Sequence, residues 1–231
     1  MLWWFPIPMR KPKDPMNSLL HDVRSAWSAD VTECDAVALF LHGYGSNERD
    51  LAGLADALEL AVPWASLRAP REMGNGGNAW FEIVTPGDPD PEPVATATQS
   101  IWAWVDAHAD PKTRIIPIGF SQGGLMASQL LRTRPDRVLA PVILGGFVAG
   151  AAQAGDDLIA QSRPPVFWGR GAEDRVIGAA AISRTSGFLP SHSSLRERVY
   201  AGLGHGINAV EILDVRTFLI ENVGANVINA R

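Results

Sequence analysis

Residues 114–134 read RIIPIGFSQGGLMASQLLRTR. An apolar run, the turn Gly119-Phe120-Ser121-Gln122-Gly123 and a run of helical composition follow one another without a linker. The turn matches G-x-S-x-G, a sharp strand-to-helix turn that holds a serine exposed at the top of a sheet. The pattern alone is weak, and its weight comes from the strand RIIPI in front of it and the helix GLMASQLLRTR behind it. Small residues let a strained turn pass close to its neighbours. The helix N-terminus then directs free N–H groups and positive dipole toward any anion forming at Ser121.

The same rhythm extends in both directions. Ala36–Leu41 (AVALFL) is continuously apolar, as in a strand covered on both faces. Helical composition follows at Asn47–Leu60, then strand Trp64–Leu67, helix Ala95–Ala109 and strand Ile115–Ile118. Beyond the turn come helix Gly124–Arg134, strands Val138–Leu144 and Val166–Trp168, a weakly helical Val176–Phe188, strand Leu195–Tyr200 and helix Asn208–Asn222. Asn208 with Glu211 reads as a capping box, and Ile207 with Ile212 as a hydrophobic staple. Alternating strands and helices predict right-handed βαβ units and a mostly parallel α/β sheet with helices on both faces. Ser18–Ala26 is expected to add an antiparallel edge strand. Arg71–Pro93 breaks the rhythm: its acidic part, Gly87–Pro93, reads as solvated surface loop, whereas Trp80 and Phe81 in its middle read as covering something.

Composition bounds the function. The chain has 231 residues, 46% hydrophobic and 19% charged, with formal net charge −5. That is too apolar for a disordered chain, and it lacks the basic field a nucleic-acid binder needs, so no nucleic acid is expected as partner. Cys34 is the single cysteine, which excludes an intramolecular disulfide and a cysteine-based zinc site and suits a cytoplasmic home. Met1–Phe5 (MLWWF) is interrupted by Pro6 and Pro8 and fails as a signal peptide. Val138–Gly155 is uncharged but carries Pro141 and four glycines, so no integral membrane segment is expected. Residues 1–15 read as an N-terminal extension and 16–231 as a single domain. A homodimer stays open.

A serine needs a base, and the base an orienting acid. Of the five histidines, only His205 lies in a Gly-X-Gly turn after a strand and before the last helix, which puts it at the sheet edge that carries Ser121. His108 and His192 read as surface residues. The acid should follow a strand between serine and histidine, where Glu173 and Asp174 sit. Asp174 is preferred, Glu173 is the runner-up, and Asp156–Asp157 read as a solvated pair. The order Ser121, Asp174, His205 is that of α/β-hydrolases, not of the chymotrypsin or subtilisin types. Leu41-His42-Gly43-Tyr44-Gly45 follows the first central strand. The backbone N–H groups of Tyr44 and Gln122 are therefore candidates for an oxyanion hole, and the His42 side chain for stiffening the loop. Trp80, Phe81, Phe147, Val176 and Ile177 are candidates for an apolar substrate pocket.

Together LHGYGSNERDL, AWFEI, GFSQGG, GRGAEDRVI and GLGHGI resemble the serine carboxylesterase family that includes acyl-protein thioesterases and lysophospholipases and is related to dienelactone hydrolases. The resemblance runs from about Ala36 to the C-terminus. It implies an α/β-hydrolase fold without a large cap domain, which cleaves a small-molecule ester or thioester through a Ser-Asp-His triad with no cofactor and no metal. Carried over, the nucleophile falls on Ser121, the acid on Asp174, the base on His205 and the oxyanion donors on Tyr44 and Gln122. Two departures stand out. Ser46-Asn47 follows Gly45 where the eukaryotic thioesterases typically have an acidic residue, and serine stands where dienelactone hydrolases use cysteine. The expected activity is carboxylesterase. Acyl thioesterase or lysophospholipase is the alternative within enzymes, and a non-catalytic binding protein of the same fold the alternative outside them.

Overall fold

A computed structural model describes residues 25–27, 34–74 and 76–224. The expected N-terminal extension, residues 1–15, and the 18–24 part of the expected edge strand lie outside these. In chain order the elements are β1 (Ser25–Trp27), β2 (Ala36–Leu41), α1 (Gly53–Ala57), β3 (Trp64–Leu67), β4 (Arg71–Glu72), β5 (Asn78–Ala79) and α2 (Pro91–His108). Then follow β6 (Arg114–Phe120), α3 (Gln122–Thr133), a 3-10 turn (Pro135–Arg137), β7 (Val142–Leu144), α4 (Asp156–Ser162), β8 (Pro165–Gly171), α5 (Ala179–His192), β9 (Ser194–Tyr200) and α6 (Ala209–Val223).

The side-chain alternation of β2 divides the layers. Val37, Leu39 and Leu41 enter one core with residues of α2, α3, α4 and α5, while Ala36, Ala38 and Phe40 enter a second with α1 and α6. Both faces are thus dry, which is why the strand reads as an unbroken apolar run. The sheet order is β1-β3-β2-β6-β7-β8-β9. Every neighbouring pair is parallel except β1 with β3, where Ser25–Trp27 runs antiparallel to Ala65–Leu67. An antiparallel edge strand therefore exists at the end of the stretch expected to form one. From β2 the chain moves outward to β3, then returns to place β6 on the other side of β2. That reversal opens a crevice beyond the carboxyl ends of β2 and β6, where α/β folds bind ligands.

Several expected boundaries shift, each for a local reason. The helix expected over Asn47–Leu60 shrinks to Gly53–Ala57. Asn47 Oδ1 accepts the Arg49 N–H (3.0 Å), a side-chain turn that displaces helical bonding. Leu51, Ala55 and Leu58 nevertheless keep their buried stripe. The strand expected over Val138–Leu144 keeps only a bridge at Val138 before pairing resumes at Val142, because Ala140 turns back with φ +29°. Pro117, without an N–H, lies opposite that gap in the β6–β7 ladder.

Two expectations are corrected. Gly87–Pro93 is not loop throughout, since Pro91 starts α2, a position where its missing N–H costs nothing. Asp156 is not a solvated residue either: at the first turn of α4, its carboxylate accepts from Arg132 Nε and Nη2, both at 2.8 Å. Arg132 is 2% exposed and also donates to the carbonyls of Ala149 and Ala151. A buried charge is tolerated when it is paired and bonded in this way.

The capping box forms by half. Asn208 Oδ1 accepts the Glu211 N–H at 2.8 Å, but neither carboxyl oxygen of Glu211 has a hydrogen-bond partner among the described residues. Glu211 is fully buried against Gly169 of β8, where a Cβ would lie 2.1 Å from Oε1. Burial pushes its carboxyl up to about 7; the Asn208 backbone opposes the rise and the Asp214 charge adds to it. The folded carboxyl thus keeps its proton where the unfolded one has lost it, so this group's contribution to stability falls as pH rises from about 4.5 through 7. In Glu211→Gln that fall is absent. Urea unfolding should give nearly equal stabilities at pH 5 and a variant more stable by about 1–3 kcal/mol at pH 8. A stability difference that does not change with pH would contradict this account.

Candidate active site

The crevice brings three distant residues together. Ser121 stands between β6 and α3 with φ +55° and ψ −115°, and its N–H donates to Leu144 O on the neighbouring strand (2.8 Å). Such a backbone costs on the order of 1–3 kcal/mol and persists because the surroundings over-determine it. The flanking glycines are required by contact: a Cβ on Gly119 would sit 2.0 Å from Gly123 O, and one on Gly123 would sit 1.8 Å from Leu41 O. The turn is therefore pressed against the end of β2, with Leu41 and Gly119 in register across the two strands.

His205 reaches Ser121 from the loop between β9 and α6. Its Nε2 lies 2.9 Å from Ser121 Oγ, and its Nδ1 lies 2.7 Å from Asp174 Oδ2. The second carboxylate oxygen of Asp174 accepts the backbone N–H groups of Val176 (2.8 Å) and Ile177 (3.2 Å). Burial alone would raise this carboxyl, but the bonds from His205, Val176 and Ile177 outweigh it and hold Asp174 below the usual carboxylate range. A carboxylate can only accept, so Nδ1 carries the proton and Nε2 is left to accept from the serine hydroxyl. Glu173, the alternative acid, points its backbone N–H at Leu203 O and is exposed. The imidazole also packs on Phe120, with ring centroids 4.9 Å apart.

The HGYG loop lies directly over the serine, since a Cβ on Gly43 would come 3.4 Å from Ser121 Cβ. His42 is fully buried, and both of its ring nitrogens are bonded to backbone groups. Its Nε2 accepts the Ala69 N–H (3.0 Å) and its Nδ1–H donates to Gly43 O (2.7 Å). Burial lowers its pKa, which keeps this cross-brace neutral. Gly45 and Ser46 pair with Asn78 of β5, fixing the far end of the loop. Among the described residues, the backbone N–H groups of Tyr44 and Gln122 have no protein acceptor.

Sequence reading missed the Gln122 side chain. Its Oε1 accepts the Trp80 N–H (2.9 Å) and its Nε2 donates to Phe81 O (2.8 Å), so one amide satisfies both backbone groups like a strand neighbour. Phe81, Phe147, Val176 and Ile177 surround one cavity of about 280 Å³ whose wall also includes Ser121 and Gln122. Trp80, expected beside them, is not part of that wall: its indole N–H donates to His42 O (2.9 Å), and the ring braces the HGYG loop from behind. Ile83, Thr85, Pro86, Gly87 and Pro89 complete the cavity, although the last two fall in a stretch read as solvated loop. Among the described residues no group of three or more His, Cys, Asp and Glu side chains is placed to hold a metal ion.

A serine hydrogen-bonded to an imidazole, itself held by a carboxylate, with two free N–H groups alongside, is equipped for acyl transfer. The sequence pattern of phospholipases and carboxylesterases matches residues 28–223. The chain belongs to the phospholipase/carboxylesterase family. Within that hydrolase family, acyl-protein thioesterase 1 of Cryptococcus neoformans is 24% identical over 218 residues, covering 80% of this chain and 92% of the relative. The putative hydrolase MhqD of Bacillus subtilis is 29% identical over 146 residues, 61% of this chain and 70% of its own. Among solved structures, the Bacillus cereus carboxylesterase superposes with a TM-score of 0.74 at 20% identity, covering 90% of this chain and 99% of that one, a likeness of fold. Like these neighbours, the family member described here has a mostly parallel sheet flanked by helices and no large cap.

The two candidate acids make different predictions. Asp174→Asn should lower kcat on an activated ester by about 10³–10⁴-fold, as loss of the correct imidazole tautomer does elsewhere. Glu173→Gln should stay near wild type. The reverse ranking in steady-state kinetics would move the acid to Glu173.

Proposed function

We propose that this protein is a serine carboxylesterase acting on small to medium acyl esters. The observation that carries the reading is the Ser121–His205–Asp174 hydrogen-bond series opening onto an uncharged cavity. His205 takes the Ser121 proton as Oγ attacks the acyl carbonyl. Asp174, kept ionised, holds the imidazole and stabilises its cation. The backbone N–H groups of Tyr44 and Gln122 receive the oxyanion, each worth about 10²–10³ in rate for donors of this kind. The protonated imidazole returns its proton to the leaving alcohol. Water then enters, His205 deprotonates it, and attack on the acyl-enzyme releases the acid and restores Ser121.

The cavity supports the acyl-size part of the proposal. About 280 Å³ lies just below the roughly 300–1,000 Å³ that ligand pockets span. Its walls carry no ionisable side chain, so the acyl group it suits is neutral. A thioester with the same acyl group is the second reading, favoured by relatives named acyl-protein thioesterase 1. Only the leaving atom differs, and the site's parts serve either.

An activated fluorophosphonate should label the folded protein at Ser121, shown by peptide mass, and Ser121→Ala should abolish both labelling and ester hydrolysis. Nitrophenyl esters from acetate to laurate should give a kcat/KM maximum at short to medium chains, with acyl-thiol substrates run beside them. Unlabelled Ser121 in folded protein would leave the chain a binding protein on a hydrolase fold.

A further inference from the structure

Five of the cavity's wall residues, Ile83, Thr85, Pro86, Gly87 and Pro89, come from one segment between β5 and α2 that forms neither helix nor strand. The segment is poorly anchored by packing: Ile83 is 43% exposed and Val84 70%. Phe147, in the segment between β7 and α4, lines the cavity as well. One side chain joins the two. Arg184 of α5 donates from Nε to Val148 O (2.8 Å) and from Nη2 to Gly87 O (2.5 Å). Its guanidinium also stands over the Phe147 ring, 5.9 Å from the centroid, and Nη1 lies 3.9 Å from Asp88.

Neighbouring contacts hold α5 as the fixed side of this link. Thr185 Oγ1 accepts the Val148 N–H (2.9 Å), so two successive residues of α5 bind both polar groups of Val148. Gly87, at φ +77°, sits so close to α5 that a Cβ there would lie 3.2 Å from Ala181 Cβ. The Asp88 pair is solvent-exposed and weak. The two carbonyl bonds are the charge-assisted kind and carry the link.

We infer that Arg184 is a specificity-determining residue: it latches the Ile83–Pro89 wall to the Phe147–Val148 floor and so sets how long an acyl chain the cavity accepts. The inference rests on reading the cavity as the acyl site. Arg184 itself lies outside the cavity lining and touches neither Ser121 nor its partners. Its planar fork spans two carbonyls from separate segments at once, which a lysine ammonium on one stem cannot reproduce.

The test compares wild type with Arg184→Met, which keeps an unbranched stem without donors, and with Arg184→Lys. Both should retain the wild-type circular dichroism spectrum. The ratio of kcat/KM for nitrophenyl octanoate to that for nitrophenyl butyrate should rise roughly tenfold in Arg184→Met, chiefly through KM, and by an intermediate factor in Arg184→Lys. Hydrogen exchange should accelerate about tenfold at the amide of Asp88, whose N–H donates to Thr85 O (3.1 Å) and closes the turn that carries Gly87, and not in α3. An unchanged ratio, or an equal loss on every ester, overturns the specificity role; unchanged exchange overturns the latch. If wild type cleaves no ester and Ser121 resists the phosphonate, the esterase reading fails instead, and exchange alone decides whether Arg184 latches the wall.

Discussion

The turn at Ser121 is pressed so tightly against the end of β2 that no side chain fits between them, and the rest of the site follows from that contact. Gly123 touches the Leu41 carbonyl and Gly119 touches the Gly123 carbonyl. The serine between them is forced to φ +55°. A strained residue of this kind survives only when several neighbours fix it at once. Here the neighbours are the β2–β6 register, the Ser121 N–H bond to Leu144 and the first turn of α3. The two cores on either side of the sheet supply the rigidity, with β2 sending alternate side chains into each.

From that fixed point the polar groups are layered outward, each orienting the next. Val176 and Ile177 N–H groups hold Asp174, Asp174 holds His205, and His205 meets Ser121. On the other side, Ala69 holds His42, His42 holds Gly43, and Gly43 lies over the serine. Gln122 joins the two systems, because its backbone begins α3 while its amide grips Trp80 and Phe81. Buried polar networks specify one arrangement when every member is satisfied. Glu211 is the exception near the site, a buried carboxyl with no partner among the described residues.

Much of the architecture was legible because the physics behind it is local. β2 reads as one apolar run since both its faces are covered, and Asn208 caps α6 through a side chain one turn away. The GFSQG turn, the HGYG loop and the GHG turn are short motifs, and in the first two Gly123 and Gly43 permit a close approach to the neighbouring strand. What was not legible depends on partners far along the chain. The Asp156 carboxylate looked solvated because its partner Arg132 is 24 residues away. Trp80 looked like a pocket wall because an aromatic pair gives no sign of which ring turns inward. Its neighbour Phe81 lines the cavity, while Trp80 is captured by His42.

By itself the sequence determined the fold class, the order of the central parallel strands, and Ser121, His205 and the neighbouring carboxylates Glu173 and Asp174 as the groups to bring together. These are properties of periodicity and of short turns, which the local chain sets through sterics and hydrophobic pattern. Tertiary structure alone decided which carboxylate meets the imidazole, which aromatic faces the cavity, and how large that cavity is. Each of those depends on distances between segments tens of residues apart, as with Arg184 and Gly87, separated by 97 positions. Only closure of the whole sheet brings such groups within a hydrogen bond of each other.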